Sequence, residues 1–377
     1  MNLYLFNPEH DYALANNDPH FMAPASAVRF ADECALFLQY LIPEDGILFL
    51  PYREHLRFYD TATKAFMEHP PHIDKIVPWG WDALMRQQCS PFFTGHLLDA
   101  QRIANTHALA HRANTISAME FLREQCPSIE IPTAATLLLS AKEVEKFVTE
   151  QREVILKSPY SGNGRGNLYA HEGQYTPTLA RQSSGVIRRQ GAILGEPLYN
   201  LVQDFALEFL CHKGRVSFAG YSLFNTRHYG YAGNVLCSDE CIEHTLSQWV
   251  SISQLHEIRT KLTTYLQMFV APDYDGYVGV DMFVYQENRE YKINPMVEMN
   301  IRMTMGMAAH ILYEKYVHPN ATGTMELLYR PKPGEIHAHI TSQPPMQYQD
   351  DKWFSGTLAL NPITETTQYA VIVEVKS

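Results

Sequence analysis

Cysteine is scarce in this chain, six among 377 residues, and Cys34, Cys89, Cys126, Cys211, Cys237 and Cys241 follow no regular spacing. A chain of this length builds its core without disulfide staples, so reduced thiols and a cytoplasmic setting are expected. Cys237 and Cys241 lie four apart. No second Cys or His pair at finger spacing follows them, which disfavours zinc. No apolar run approaches the roughly 18 residues of a membrane span. Residues 1–9 lack the basic start and the apolar length of a signal peptide. Positive charge is short as well: 30 Lys and Arg against 41 Asp and Glu leave a net charge of −11. That balance argues against nucleic acid and against an anionic membrane surface as partners. Internal repeats and low-complexity tracts are absent.

What is present describes a folded protein. The hydrophobic share is 46% and the charged share 19%, and the length suits two or three domains. Residues 2–6 and 47–50 read as short buried strands stopped by Pro8 and Pro51, and 73–77 as a third. Residues 31–41 carry helical spacing between them. Alternating strands and helices predict an open parallel α/β sheet for the first hundred or so residues. Residues 113–125 read as a helix. Ser140 with Glu143 forms a capping-box pattern opening another. Strands are predicted over 154–156, 201–210, 216–223, 277–285 and 290–300, and an amphipathic helix carries Leu255, Ile258, Leu262, Leu266 and Phe269. Trp79-Gly80-Trp81 reads as packing. From Pro331 the chain becomes rich in Pro, Gln and Thr and reads as a β appendage.

Two segments carry chemistry. The strand ending in Lys157 runs into Ser158-Pro159-Tyr160-Ser161-Gly162-Asn163-Gly164-Arg165-Gly166. Glycines let backbone N–H groups crowd around an anion, and Lys157 and Arg165 add charge to it. The spacing is neither the Walker pattern nor the dinucleotide fingerprint. A flexible hairpin loop is the plain alternative. Later, Asp281 precedes Asn294-Pro295-Met296-Val297-Glu298-Met299-Asn300-Ile301-Arg302. In an extended chain Glu298, Asn300 and Arg302 share a face, and Asp281 can join them from a neighbouring strand. Two carboxylates and an amide oxygen suit Mg²⁺. The flanking Met296, Val297, Met299 and Ile301 argue for burial, where an unpaired carboxylate is costly.

In this order the two segments resemble the ATP-grasp superfamily over roughly residues 105–325. The resemblance implies an α/β fold class: an N-terminal open parallel α/β domain over 1–110, a two-lobed ATP-grasp nucleotide-binding unit over 111–330, and the β appendage over 331–377. It implies ATP and Mg²⁺ as cofactors, with Mn²⁺ as an alternative ion. The activity it implies is a carboxylate–amine ligase, in which an acyl phosphate forms and an amine displaces phosphate. Lys157 matches the lysine that holds nucleotide phosphates, and Ser161, Gly162, Gly164, Arg165 and Gly166 match the mobile loop. Glu196 resembles the residue for the ribose hydroxyls, and Glu208 lies in the acidic strand that follows. Asp281, Glu298 and Asn300 match the metal ligands, and Arg302 the basic residue facing the acceptor. Arg112 stands where the family has its first lysine and keeps the charge but not the shape. The stretch from Asp281 to Glu298 is longer than usual. Either Pro295 marks a bulge or Asn294 takes the position given to Glu298.

Two further clusters remain. Asn7, Glu9, His10 and Asp11 follow the first strand, where ligands gather in open α/β sheets. They read as acceptor contacts, as a plain turn, or, with His20 or His55, as a metal site. Arg227, Tyr229 and Asn234 read either as substrate contacts or as a surface turn. The partners expected are a small carboxylate and an amine, and a homodimer follows from oligomer statistics alone. The competing activities are an ATP-grasp kinase that phosphorylates a small molecule and, far behind, a metal-dependent hydrolase using Glu9, His10 and Asp11.

Overall fold

The computed structural model describes residues 1–93, 97–162, 164, 166–227 and 230–377, with backbone alone for Arg227 and Gly230. Among these the strands form three sheets. The N-terminal sheet contains β1 (Asn2–Leu5), β2 (Ile47–Phe49), β3 (Phe58–Asp60), β4 (Ala65–Met67) and β5 (Lys75–Pro78), in the order β4-β3-β2-β1-β5. β1 runs parallel to β2 and β5 as the alternating pattern predicts, while β3 and β4 add an antiparallel edge. Helix α1 (His10–Asn16) follows β1. The helix expected over 31–41 begins earlier, as α2 (Ala25–Cys34), and tightens into a 3₁₀ turn at Ala35–Tyr40. Helix α3 (Ala83–Cys89) is capped by Asp82, whose side chain accepts from the Met85 N–H.

Helices α4 (Ala100–Leu109) and α5 (Asn114–Gln125) lead to a small sheet of β6 (Thr136–Leu138), β7 (Val154–Lys157), β8 (Leu168–Ala170) and β9 (Ile193–Pro197), ordered β6-β9-β7-β8. Helices α6 (Ala141–Gln151) and α7 (Pro177–Gln190) cover it through Val144, Val148, Leu179 and Val186. Ser140 caps α6 as expected, but Glu143 reaches one residue further back, to the Leu139 N–H.

The large sheet contains β10 (Asn200–His212), β11 (Arg215–Arg227), β12 (Gly230–Leu236), β13 (Gly276–Glu287), β14 (Glu290–Asn300), β15 (Thr322–Tyr329), β16 (Gln347–Gln349), β17 (Lys352–Ala359) and β18 (Tyr369–Lys376). Its order is β14-β13-β10-β11-β12-β15-β18-β17-β16. Helix α8 (Asp239–Leu246) precedes α9 (Ile252–Phe269), α10 (Met305–Tyr316) follows β14, and α11 (Glu335–Thr341) precedes β16.

Strand alternation divides this sheet into two functions. Phe205, Leu207 and Phe209 on β10 and Val278, Val280, Met282 and Val284 on β13 enter one core with α5 and α9. The intervening residues of the same strands turn to the opposite face. The segment after Pro331 supplies β18 to the sheet, and Val371, Val373 and Val375 join Phe6, Leu48 and Leu50 of the N-terminal sheet in one core. Trp79 packs there, its ring 5.2 Å from that of Phe6. Among the described residues no helix is long and apolar enough to cross a membrane.

Helix α9 backs the strands that carry the site, and a full capping box opens it: Ser251 accepts from the Gln254 N–H and Gln254 reaches back to Ser251. Replacing Ser251 with Ala is expected to lower the unfolding free energy by about 1 kcal/mol, measured as a reduced urea midpoint.

Candidate functional site

The register of β13 and β14 sets Asp281 directly across from Glu298, and Gly279 across from Asn300. Asn294 faces Phe283 instead, so the extra length lies in a bulge around Pro295, and the Asn294 Oδ1 accepts from the Met296 N–H within it. Asn300 Nδ2 donates to Asp281 Oδ2 at 3.1 Å. β10 lies on the other side of β13 and sets Ala206 beside Asp281 and Glu208 beside Gly279. Asp204, Ala206 and Glu208 therefore share the face of Asp281 and Glu298.

Glu208 is buried and Asp204, Asp281 and Glu298 are half-buried, and loss of water disfavours their charged forms. Burial, then the nearby Glu298 charge, pushes Asp281 up to about 7. Glu298 is raised by burial, with the Arg112 guanidinium acting against it. Burial pushes Glu208 up to about 8, and Asp204 up to about 6. Glu208 Oε1 accepts from the Thr304 hydroxyl at 2.8 Å, while Oε2 has no hydrogen-bond partner. Its carboxyl lies against Gly279 and Gly306, where a Cβ would stand 2.9 Å from Oε2 and 2.3 Å from Oε1.

Three cations face this acidic surface. Lys157, at the end of β7, donates to Glu196 of β9 at 2.6 Å, and both are buried. Arg112, in the turn before α5, donates at 2.7 Å to Glu298 Oε1, at 2.7 Å to the Ser161 carbonyl and at 3.1 Å to the Ser161 hydroxyl. Its Nε reaches the Ser158 carbonyl at 3.1 Å. Arg302 forks onto Asp11, with contacts of 3.3 and 3.2 Å. Asp11 is held below the usual carboxylate range by Arg302 although burial acts in the other direction. Gly162 lies so close to this pair that a Cβ would stand 1.6 Å from Asp11 Oδ2. The cleft between loop and sheet, lined by His10, Asp11, Tyr160, Ser161, Glu298 and Arg302 among others, keeps a free volume of only about 10 Å³.

The donor set suits Mg²⁺. Asp281, Glu298 and Asn300 offer hard oxygens, and the two carboxyls face each other across the strands. Among the described residues no three His, Cys, Asp or Glu cluster as a closed metal cage. Mg²⁺ needs none, because it is held through one or two carboxylates plus substrate phosphates.

The remaining predicted residues divide. Gly164 adopts φ 69°, and Gly166 stands in open space. Asn7 is buried, donating to the Gly80 carbonyl at 2.8 Å and to Asp82 at 3.2 Å. Glu9 accepts from the Tyr52 hydroxyl, keeps Oε2 without a partner, and is pushed by burial up to about 7. His10 pairs with Asp82 at 2.8 Å. The metal alternative at this cluster does not assemble: Asp11 is engaged by Arg302, while His20 and His55 are exposed. Cys237 is buried and Cys241 exposed, and among the described residues no third metal-ligating side chain clusters beside them. Asn234 donates to the Ser222 hydroxyl at 2.7 Å and accepts from Tyr231, and it is not among the residues lining the cleft. Arg165, Tyr229 and the Arg227 side chain lie outside the described residues. Thr304, Tyr160 and Asp82 escaped the sequence reading. Thr304 and Asp82 carried a signal, since each is an N-cap residue.

No family model and no curated protein matches the chain at a significant level. Solved structures do. The N5-carboxyaminoimidazole ribonucleotide synthetase of Thermus thermophilus is 12% identical, with a TM-score of 0.53 over 99% of this chain and 93% of that one. The biotin carboxylase of Campylobacter jejuni, solved as a complex with β-γ-ATP, is 13% identical, with a TM-score of 0.51 over 81% of this chain and 72% of that one. At such identities the likeness is one of fold, and the chain has the ATP-grasp fold.

The raised carboxyls make stability depend on pH. Asp281 and Glu208 bind protons more tightly folded than unfolded. Their contribution is full below the unfolded carboxylate range and is lost as pH rises through about 7 and 8. Urea unfolding without Mg²⁺ is expected to show stability falling across this window, with a flatter profile in Glu208→Gln. A profile unchanged by that substitution would remove Glu208 as a cause.

Proposed function

We propose that this chain is an ATP- and Mg²⁺-dependent ligase that activates a carboxylate as an acyl phosphate and joins it to an amine. The observation that carries this is the pairing of Asp281 with Glu298 across β13 and β14, with the buried Arg112 and Lys157 and the half-buried Arg302 close by. Two structures of the same fold, one named as a ribonucleotide synthetase and one as a biotin carboxylase in complex with β-γ-ATP, support the nucleotide part of the proposal.

In this scheme Lys157 and Arg112 hold the phosphate charge, exchanging Glu196 and Glu298 for phosphate oxygens. The amides of Ser161, Gly162, Gly164 and Gly166 add backbone donors to the same charge. Glu196, released from Lys157, takes the ribose hydroxyls. Asp281, Glu298 and Asn300 hold Mg²⁺, which supplies positive charge to the phosphate oxygens when bound; Mn²⁺ accepts the same oxygen donors. Glu208 stands behind Asp281, tied to Thr304, and we assign it to shaping the acidic face rather than to contacting the nucleotide. Arg302 faces the acceptor: the carboxylate attacks the γ phosphorus, the bond from that phosphorus to the β–γ bridging oxygen breaks and its electron pair leaves on ADP, and the guanidinium steadies the acyl phosphate charge. An amine then displaces phosphate. Most of the rate enhancement in such a site is positioning and electrostatics. Residues at the end of β1 supply acceptor contacts, and 331–377 braces the N-terminal sheet through β18.

Thermal unfolding with and without MgATP tests the nucleotide site. A ligand at about 100 times its Kd stabilises by about 2.7 kcal/mol. A metal-dependent rise is expected with MgATP, lost in Lys157→Ala; no rise at millimolar nucleotide would overturn the proposal. Asp281→Asn and Glu298→Gln are expected to stay folded and to lose ATP turnover. Amide with ADP and phosphate is the expected product, whereas a phosphorylated acceptor alone would make the chain a kinase.

The closed loop makes a separate prediction. A Cβ on Gly162 cannot coexist with the Asp11–Arg302 pair. Gly162→Ala is therefore expected to hold the loop open, seen as faster proteolysis within 158–166 without nucleotide. Equal cleavage of both proteins would show that the loop does not rest on that pair.

A further inference from the structure

His10 opens α1 at the end of β1, and its ring is buried beside the cleft. Nδ1 lies 2.8 Å from Asp82 Oδ2. Asp82 Oδ2 also accepts from Asn7, so Nδ1 is the donor in this contact and Nε2 is the ring nitrogen left for another group. That Nε2 is buried and has no hydrogen-bond partner among the described residues. A histidine serving structure alone would satisfy both nitrogens, because an orphaned buried polar atom costs stability.

The support behind the ring is rigid. Asp82 Oδ1 accepts from the Met85 N–H at 2.8 Å, and Asn7 donates to Asp82 Oδ2 at 3.2 Å. Asn7 also exchanges bonds with the backbone of Gly80, whose position leaves no room for a Cβ: it would stand 2.6 Å from Nε2. Glu298 and Arg302 line the same cleft as the imidazole.

We propose that His10 is the general base for the amine nucleophile and that Asp82 is the positioning residue that fixes its tautomer. The inference rests on the ligase proposal and adds the group that handles the proton. As the new N–C bond forms, the C–O bond to the phosphoryl group breaks and its electron pair leaves on inorganic phosphate. The amine proton passes to Nε2, which returns it to the departing phosphate. The amine is thereby specified as one that attacks as a neutral nitrogen and must shed a proton to do so.

The test uses the full chain with MgATP and a mixed pool of amino acids, dicarboxylates and bicarbonate as carboxylates. ADP release is measured with hydroxylamine, which is free base near neutrality, and separately with a pool of alkylamines and amino acids. General base catalysis contributes about 10²–10⁴-fold. The ratio of amine-dependent to hydroxylamine-dependent release is therefore expected to fall about 100-fold or more in His10→Gln. It is expected to fall less in Asp82→Asn, with a shifted pH profile. The ¹⁵N spectrum of the wild-type imidazole is expected to show the Nδ1–H tautomer, lost in Asp82→Asn. An unchanged ratio, or an Nε2–H tautomer in the wild type, overturns the base assignment while leaving the ligase proposal standing. Wild-type protein silent in both arms overturns the ligase proposal and the base with it.

Discussion

Asp281 and Glu298 lie side by side on a buried sheet face, with Glu208 and Asp204 along the same surface, and no cation among them comes from their own strands. Taking carboxylates out of water is tolerable only when they protonate or meet positive charge. Both solutions are present. Asp281 and Glu208 are pushed toward the neutral form, while Glu298 is held by Arg112 and Asp11 by Arg302. The cations must therefore arrive from elsewhere in the chain: Arg112 from the turn before α5, Lys157 from the small sheet, Arg302 from just past β14. The relative placement of the elements follows from this charge balance as much as from apolar packing.

The same balance explains why the cleft is shut. Each cation has an internal carboxylate partner, and Gly162 rests on the Asp11–Arg302 pair. A polyanionic ligand would compete for those cations, and a divalent cation would take over the carboxylates released. A ligand and a metal binding in this way would exchange places with ion pairs already formed, leaving little charge uncompensated. Internal partners keep the site organised, and their displacement sets the affinity.

The N-terminal sheet belongs to this site rather than standing apart from it. Asp11 and His10 follow β1 directly, and the sheet shares a core with α10 and β18. The ends of β1 and β5 are brought together by Asn7, Gly80 and Asp82, so the polar groups emerging there are held by backbone as well as by side chains.

Much of this was legible in the sequence. Strands over 201–210 and 277–285 are readable from their apolar content, and in the fold the strand pleat separates Phe205, Leu207 and Phe209 from Asp204 and Glu208. Glycines after Lys157, and Asp281 with Glu298, Asn300 and Arg302, are residue types that suit an anion loop and a metal strand, and their order along the chain is what resembles the ATP-grasp superfamily. What the sequence could not specify is pairing over distance. Pro295 signalled an irregularity, but only the β13–β14 register decides that Glu298 and not Asn294 faces Asp281. The contact of Arg302 with Asp11 spans 291 residues, and that of His10 with Asp82 joins a helix start to a helix cap on another element. Local chemistry is determined residue by residue along the chain, whereas partnership among buried charges depends on which elements pack together, and that is decided only when the whole chain has folded.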